Sequence, residues 1–199
     1  MSGAPIEGQA GPAPTACPCD DEIEEIPAGT VLHASAVATG RAHGERGVLI
    51  LGPSGSGKTR LALELIAMGG ALDIALIGDD RVQVDAPLVP AEGAVMRPVP
   101  TIAGLVDIRG VGILRHPYRQ AAPLWSAVDL GVASRQGSTR RIMAMRYMML
   151  AGVQVPCLPG GVGLHAAALL AMLRTGRLPD PEHAPAVLNV AVPGADPND

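Results

Sequence analysis

The chain has 199 residues, of which 48% are hydrophobic, 17% charged and 2% aromatic, and its formal net charge is −4. This length fits one domain of ordinary size. The negative charge argues against a nucleic-acid partner, and no apolar run approaches the roughly 20 residues that a membrane span needs. No signal peptide is recognisable at the N-terminus, so we expect a cytoplasmic protein.

The first part of the chain differs in composition from the rest. Residues 1–27 are rich in Gly, Ala, Pro and acidic residues and lack periodicity, which predicts a disordered tail. Residues 1–26 carry six acidic residues and no Lys or Arg, whereas the remainder carries 15 basic and 13 acidic residues. A domain with this slight excess of basic residues can bind an anionic ligand. The three cysteines are too few for a disulfide framework, and Cys17-Pro-Cys19 is a weak metal-binding pattern.

Between residues 30 and 70 the pattern predicts two strands and a helix. Thr30–Thr39 alternates enough to be a strand, and a turn over 40–47 follows it. Gly47–Leu51 is wholly apolar, which indicates a strand covered on both faces, as in an α/β sheet. A helix is predicted from Lys58 to about Met68, with Leu61, Leu65 and Met68 on one apolar stripe and Gly69-Gly70 at its end.

The rest of the chain predicts further strands, loops and two more helices. The strand candidates are Ile74–Ile77, Arg81–Asp85 and one short segment within the loop-rich stretch 87–100, followed by the Gly-punctuated segment 102–114. Helices are predicted at Arg140–Leu150 and His165–Arg174. Residues after Pro179 are Pro-rich, and we expect them to be irregular.

A phosphate-binding loop follows the strand Gly47–Leu51. Its sequence matches G-x-x-x-x-G-K-[ST] at every position. The glycines let successive backbone N–H groups turn toward phosphate oxygens, and the helix that follows directs its positive end to the same place. The alternative is a Gly-rich turn with an exposed lysine, although this lysine is the only one among 15 basic residues. The predicted nucleotide-binding residues are Gly52, Pro53, Ser54, Gly55, Ser56, Gly57, Lys58 and Thr59.

Two adjacent carboxylates, Asp79 and Asp80, come directly after the predicted strand Ile74–Ile77. Ligands bind at the carboxyl ends of parallel strands, so this pair should face the loop. One carboxylate could then hold Mg²⁺ while the other accepts a proton from an attacking hydroxyl. The alternative is an ordinary Asp-Asp turn on the surface.

Three further residues are candidates for the same site. Asp107 and Arg109 lie two residues apart and share a face in an extended chain, so they could hold metal and stabilise a transferring phosphate. The alternative for them is a surface ion pair. His33 lies on a strand, where a histidine is more often a hydrogen-bonded core residue.

These residues, in this order, resemble the catalytic domain of the bacterial HPr kinase/phosphorylase family over roughly Val31–Arg174. The segment VDIRGVGI (106–113) is similar to the family signature LEIRGLGI, and GDDRV (78–82) accompanies it. The resemblance implies an α/β, P-loop kinase-like domain of the HPr kinase C-terminal type, with a mixed sheet and flanking helices. It also implies a short form without the N-terminal domain, with a catalytic domain over 28–178 between tails at 1–27 and 179–199.

The family phosphorylates a serine of HPr, a phosphocarrier protein of the sugar phosphotransferase system, and can reverse the reaction with inorganic phosphate. The resemblance therefore implies ATP and Mg²⁺ as cofactors, an HPr-like carrier as partner and a homo-oligomer, typically a hexamer. By position, it makes Asp80 or Asp79 the proton acceptor and Lys58 and His33 active-site residues. It makes Thr59 and Asp107 the Mg²⁺ ligands, and it places an active-site arginine at Arg141 or its neighbour Arg140.

The chain departs from the family pattern at two places. Asp107 stands where the family has Glu, and Pro159-Gly160-Gly161 lacks the basic residue of the family's PGRN segment, which is associated with the reverse reaction. Two other functions fit the same loop, namely a small-molecule P-loop kinase and a regulatory module that senses ATP without transferring phosphate. A sensor would tolerate the loss of Asp80, whereas a kinase would not.

Overall fold

A computed structural model describes residues 25–87, 89, 93–131, 146–160 and 164–179. In these residues a mixed sheet carries two helices on one face and a smaller antiparallel sheet on the other. The strands are β1 (Glu25–Ile26), β2 (Thr30–Leu32), β3 (Ser35–Ala38), β4 (Gly47–Leu51), β5 (Ala75–Gly78), β6 (Val82–Asp85), β7 (Val95–Pro98), β8 (Leu105–Ile108), β9 (Gly112–Arg115), β10 (Ala122–Asp129), β11 (Arg146–Leu150) and β12 (Val153–Pro159). The helices are α1 (Lys58–Met68) and α2 (Ala166–Thr175).

The main sheet has the strand order β1-β11-β12-β10-β4-β3-β5. Strand β10 is parallel to both of its neighbours, β4 and β12. Strand β3 is antiparallel to both β4 and β5. Strands β4 and β5 therefore run in the same direction, and their carboxyl ends lie at the same edge of the sheet although they are not neighbours.

The second layer consists of β2, β6 and β7, which pair antiparallel in that order. Strand β7 joins this layer to the main sheet by pairing with the first residues of β10. Strands β8 and β9 form a separate two-stranded hairpin with Asp107 opposite Ile113. The hairpin contacts α1 through β8.

Burial explains why β4 is apolar at every position. Leu49 and Leu51 pack in the core between the two sheets, and Val48 and Ile50 pack in the core beneath the helices. All four side chains are buried. The prediction that this strand is covered on both faces is confirmed, and the observed mixed α/β architecture is the predicted fold class.

Several predicted elements match the structure and others need correction. Helix α1 has the predicted bounds and α2 nearly so, but Met68 is 54% exposed because it lies at the last helical position, away from the core stripe. The single strand predicted at Thr30–Thr39 is wrong, because the chain crosses there from one sheet to the other and forms β2 and β3. The strand predicted at Ile74–Ile77 begins one residue later.

The helix predicted at Arg140–Leu150 is wrong where it can be compared. Residues Arg146–Leu150 form β11, because they pair with β12 along their whole length. Residues 140–145 lie outside the described part of the chain. Strands β10 and β12 were not predicted, and prolines at positions 123, 156 and 159 hide them by interrupting the strand pattern.

The predicted tail over 1–27 also needs correction at its end. Glu25 and Ile26 pair in parallel with Met149 and Leu150, and the Ile26 side chain is buried in the core. Residues 1–24, which include Cys17 and Cys19, and residues 180–199 lie outside the described part of the chain. No helix among the described residues is long and apolar enough to cross a membrane.

Candidate active site

The loop between β4 and α1 has the backbone conformation that the glycine pattern predicts. Gly52, Gly55 and Gly57 have φ values of 141°, 83° and 96°. A Cβ atom on Gly52 would lie 2.7 Å from Ser56 Oγ and 3.1 Å from Leu130 Cβ, so that position has no room for a side chain. Gly57 is the N-cap of α1, which directs the positive end of the helix into the loop.

Lys58 is 7% exposed and lies at the centre of a hydrogen-bond network. Its Nζ donates to the carbonyl oxygens of Gly52 at 2.9 Å and Pro53 at 3.1 Å, and it lies 3.0 Å from His33 Nε2. Burial lowers the pKa of the Lys58 ammonium, and the nearby carboxylates of Asp79 and Asp80 oppose that shift. The side chain is held where a phosphate would meet the loop.

Asp79 lies at the carboxyl end of β5 and is 4% exposed. Its carboxylate accepts hydrogen bonds from Thr59 Oγ1, at 3.0 and 3.1 Å from the two oxygens, and from the Ser35 hydroxyl. Two hydroxyl groups therefore donate to this buried carboxylate. Asp79 is thus hydrogen-bonded to Thr59 of the loop.

Asp80 differs from Asp79 in both exposure and backbone conformation. Its side chain is 59% exposed, and its φ of 66° is left-handed, which an aspartate tolerates better than most residues. His33 Nδ1 lies 3.1 Å from the Asp80 carbonyl oxygen and 3.3 Å from Asp80 Oδ1. Because the other ring nitrogen meets Lys58, His33 bridges the lysine to the second aspartate.

His33 therefore lies at the site and not in the core. It lies in the bend between β2 and β3, and its side chain is 30% exposed and lines the cavity described below. The backbone N–H of the next residue, Ala34, donates to the Asp80 carbonyl. These contacts divert the chain after β2 and separate the two strands that the sequence predicted as one.

The hairpin β8–β9 supplies the remaining candidates. Arg109 follows β8, and its Nη2 donates to Ser54 Oγ at 2.7 Å, which places its guanidinium over the loop. Asp107 is exposed on β8. Both residues line a cavity of about 510 Å³ that also contains Lys58, Asp79 and Asp80 in its walls.

The residues of this cavity suit a phosphate chain and Mg²⁺. The Ser56 Oγ is buried inside the loop and has no hydrogen-bond partner within the described residues, and a phosphate oxygen could satisfy it. The Thr59 hydroxyl and the carboxylates of Asp79 and Asp107 are the hard oxygen ligands that Mg²⁺ prefers. No group of three or more His, Cys, Asp or Glu side chains forms a metal cluster in the part of the chain that the structure describes.

The structure brings most of the predicted site residues together around this one cavity. Gly52, Pro53 and Ser56 belong to the same loop but do not line the cavity, and Arg140 and Arg141 lie outside the described residues. The sequence did not single out Ser35, which contacts Asp79, or the exposed face of α1 and Ile108, which also line the cavity. Arg60, Leu63 and Glu64 are three and four residues apart, so helical periodicity places them on one face of α1. This spacing was the sequence signal that could have identified the part of α1 that lines the cavity.

The phosphate loop, the carboxylates at the same sheet edge and the strand order define a P-loop domain of the α/β class. Residues 32–117 match the family model of the HPr Serine kinase C-terminal domain. The fold is that of this domain, since the Hpr(Ser) kinase/phosphatase from Coxiella burnetii superposes with a TM-score of 0.59 at 20% identity. That match covers 74% of this chain and 96% of the other. The predicted resemblance to HPr kinase/phosphorylase is confirmed.

Two curated relatives are similar to part of this chain. The HPr kinase/phosphorylase of Caldanaerobacter subterraneus subsp. tengcongensis is 39% identical over 74 residues, which are 34% of this chain and 20% of the relative. The HPr kinase/phosphorylase of Neisseria meningitidis serogroup C is 40% identical over 80 residues, which are 39% of this chain and 23% of the relative. These matches span about a fifth of each relative's length.

Proposed function

We propose that this protein is an ATP-dependent protein-serine kinase that phosphorylates an HPr-type phosphocarrier. The observation that carries the proposal is the contact of His33 with both Lys58 and Asp80 in the wall of one cavity. A cation beside the phosphates and a carboxylate that accepts the hydroxyl proton are two of the groups that promote phosphoryl transfer to an alcohol. The similarity to HPr kinase/phosphorylase supports serine on a carrier protein as the acceptor.

In this proposal the residues divide the work according to their surroundings. Lys58 exchanges its bonds to the Gly52 and Pro53 carbonyls for bonds to the β- and γ-phosphates. Asp80, which is exposed and is not tied to the loop threonine, accepts the proton of the attacking serine. His33 uses its Nδ1 side to orient Asp80 and its Nε2 side to orient Lys58.

The metal site would be formed by residues of the loop, of the segment after β5 and of the hairpin β8–β9. Thr59 and Asp79, already in contact, would hold Mg²⁺ with Asp107 from the hairpin. When bound, Mg²⁺ neutralises charge on the phosphates during transfer. Arg109, placed over the loop by its bond to Ser54, adds a second positive charge near the phosphates.

The test is incubation of the purified full chain with Mg²⁺, γ-labelled ATP and an HPr-type carrier. We expect label on one serine of the carrier and none on a carrier whose serine is replaced by alanine. Transfer to small hydroxylated metabolites instead would favour a small-molecule kinase. ATP binding without transfer to either acceptor would favour a sensing module.

The same proposal includes the cellular compartment and the oligomeric state of the enzyme. An HPr-type carrier of the phosphotransferase system places the reaction in the cytoplasm. The family resemblance adds a homo-oligomer, with a hexamer as the expected form. Light scattering coupled to size-exclusion chromatography tests that mass directly, and a monomeric mass would contradict this part of the proposal.

A further inference from the structure

One short segment of the chain, at the start of β3, contacts both aspartates of the site. His33 contacts Asp80 through Nδ1, and the backbone N–H of Ala34 donates to the Asp80 carbonyl oxygen. The next residue, Ser35, donates its hydroxyl to Asp79 Oδ1. The proposed function gives a role to His33 and leaves Ser35 without one.

The strand order explains why a serine of β3 reaches this carboxylate. Strand β3 is antiparallel to β4 and β5, so its first residue lies at the sheet edge where both of those strands end. Ala36 pairs with Gly78, the last residue of β5. Ser35, one residue earlier, therefore lies beside Asp79. Because Ser35 is 0% exposed and does not line the cavity, it would act on a bound ligand through Asp79.

The two hydroxyl donors contact the Asp79 carboxylate in different ways. Thr59 Oγ1 lies 3.0 Å from Oδ1 and 3.1 Å from Oδ2, so this contact does not distinguish the two oxygens. The Ser35 hydroxyl does distinguish them, because it donates to Oδ1. Oδ1 therefore accepts from both hydroxyl groups, and Oδ2 keeps the greater acceptor capacity for a cation.

We propose that Ser35 is a positioning residue for Mg²⁺, which holds Oδ1 of Asp79 and so leaves Oδ2 for the cation. The inference rests on the proposed function, because it takes Asp79 as one of the Mg²⁺ ligands. Removing a hydrogen-bond partner that orients a metal ligand typically weakens metal binding by about 10–100-fold. The loss of the Ser35 hydroxyl should therefore appear in the contribution of the cation to binding, and not in the contribution of the loop.

The experiment measures how much Mg²⁺ strengthens nucleotide binding. Calorimetry gives the dissociation constant of a non-hydrolysable ATP analogue for the full chain, with saturating Mg²⁺ and with EDTA, and the ratio of the two constants is the gain due to the cation. Ser35→Ala removes the hydroxyl, and Ser35→Thr keeps one. Ser126→Ala is the matched control, because Ser126 is also 0% exposed in the main sheet, lies outside the cavity lining, and has no hydrogen-bond partner for its Oγ among the described residues.

We expect Ser35→Ala to lower the Mg²⁺-dependent gain about tenfold, whereas its affinity in EDTA should equal that of the parent. Ser35→Thr should recover most of the gain, because its hydroxyl can donate to the same oxygen. Ser126→Ala should match the parent in both conditions. If Ser35→Ala does not fold, Ser35→Cys should show the same loss, because it keeps a similar volume but has only a weak S–H donor.

Four results would overturn the proposal. An unchanged gain in the folded Ser35→Ala variant would show that Ser35 only packs in the sheet. Equal losses with Mg²⁺ and with EDTA would assign the effect to the loop, and the same loss in Ser126→Ala would assign it to the stability of the sheet. In these three cases the gain of the parent, and with it the proposed function, would stand. If the parent itself gains nothing from Mg²⁺, the metal site of the proposed function fails and this inference fails with it.

Discussion

Replacing Asp80 with Asn should stop phosphoryl transfer while leaving ATP binding intact. Asn keeps the size of the side chain and accepts the left-handed backbone at φ 66°, so the turn after β5 should persist. The side chain is 59% exposed, so little packing is lost. What the change removes is the ability to accept a proton from the serine hydroxyl.

The expected loss in transfer rate is about 10²–10⁴-fold, the usual contribution of a general base. That range corresponds to roughly 3–5 kcal/mol in the activation barrier. Asp79→Asn should behave differently, because Asp79 is buried against the Thr59 hydroxyl beside the loop. Its loss should raise the Mg²⁺ concentration that gives half-maximal activity, and saturating Mg²⁺ should restore part of the rate.

The assay is single-turnover transfer from labelled ATP to the carrier across a Mg²⁺ series. Asp73→Asn is the matched control, because Asp73 is also a left-handed aspartate, with φ 49°, but pairs with Arg119 outside the cavity. It should leave the transfer rate unchanged. Full recovery of the Asp80 variant at high Mg²⁺ would show that Asp80 is a metal ligand and that the base has been misassigned.

The remaining predictions concern the loop, the hairpin and the first strand. Lys58→Ala should abolish transfer and Lys58→Arg should restore little, because a planar guanidinium does not replace a compact ammonium; near-parental turnover of the Arg variant would contradict this. Since burial lowers the Lys58 pKa, kcat/KM for ATP should fall with rising pH before an ordinary lysine, near pH 10.4, would titrate. Across the same range the free energy of unfolding should rise with pH, because the unfolded chain binds that proton more tightly. Asp107→Asn should raise the Mg²⁺ requirement and Asp107→Glu should be milder, as a Mg²⁺ titration of activity will show. Ile26→Ala should lower the free energy of unfolding in urea by about 2–4 kcal/mol, because Ile26 is 6% exposed in the core, and an unchanged midpoint would refute that packing.

The parts of the site that the sequence predicted well are those formed by neighbours in the chain. The loop from Gly52 to Thr59 depends on glycine conformations and on the first turn of α1, all within eight residues. Helix α1 likewise has its predicted bounds, since its apolar spacing and the glycines that follow it are local signals. The sequence could also predict that β4 is covered on both faces of the sheet, because its side chains are apolar on both faces.

The placement of Asp79 and Asp80 beside the loop was also predictable from the rule that ligands bind at the carboxyl ends of parallel strands. In this sheet the two strands concerned are parallel without being neighbours. Strand β5 is not a parallel neighbour of β4, because β3 lies between them and is antiparallel to both. Because β3 is antiparallel to each of them, β4 and β5 run in the same direction. The carboxyl ends of β4 and β5 consequently meet at one edge, as an all-parallel sheet would require.

Other features depend on partners distant in sequence, and only the tertiary structure could decide them. His33 meets Asp80 across 47 residues and Lys58 across 25, so its own segment carries no sign of these contacts. The segment Arg146–Leu150 becomes a strand because β12 offers it a complete antiparallel partner. Residues of α1 and of the hairpin β8–β9 line the same cavity because the hairpin contacts the helix through β8. Local sequence determines the conformation of a loop or a helix, whereas the partners of a strand edge or an exposed helix face are determined by how the layers pack.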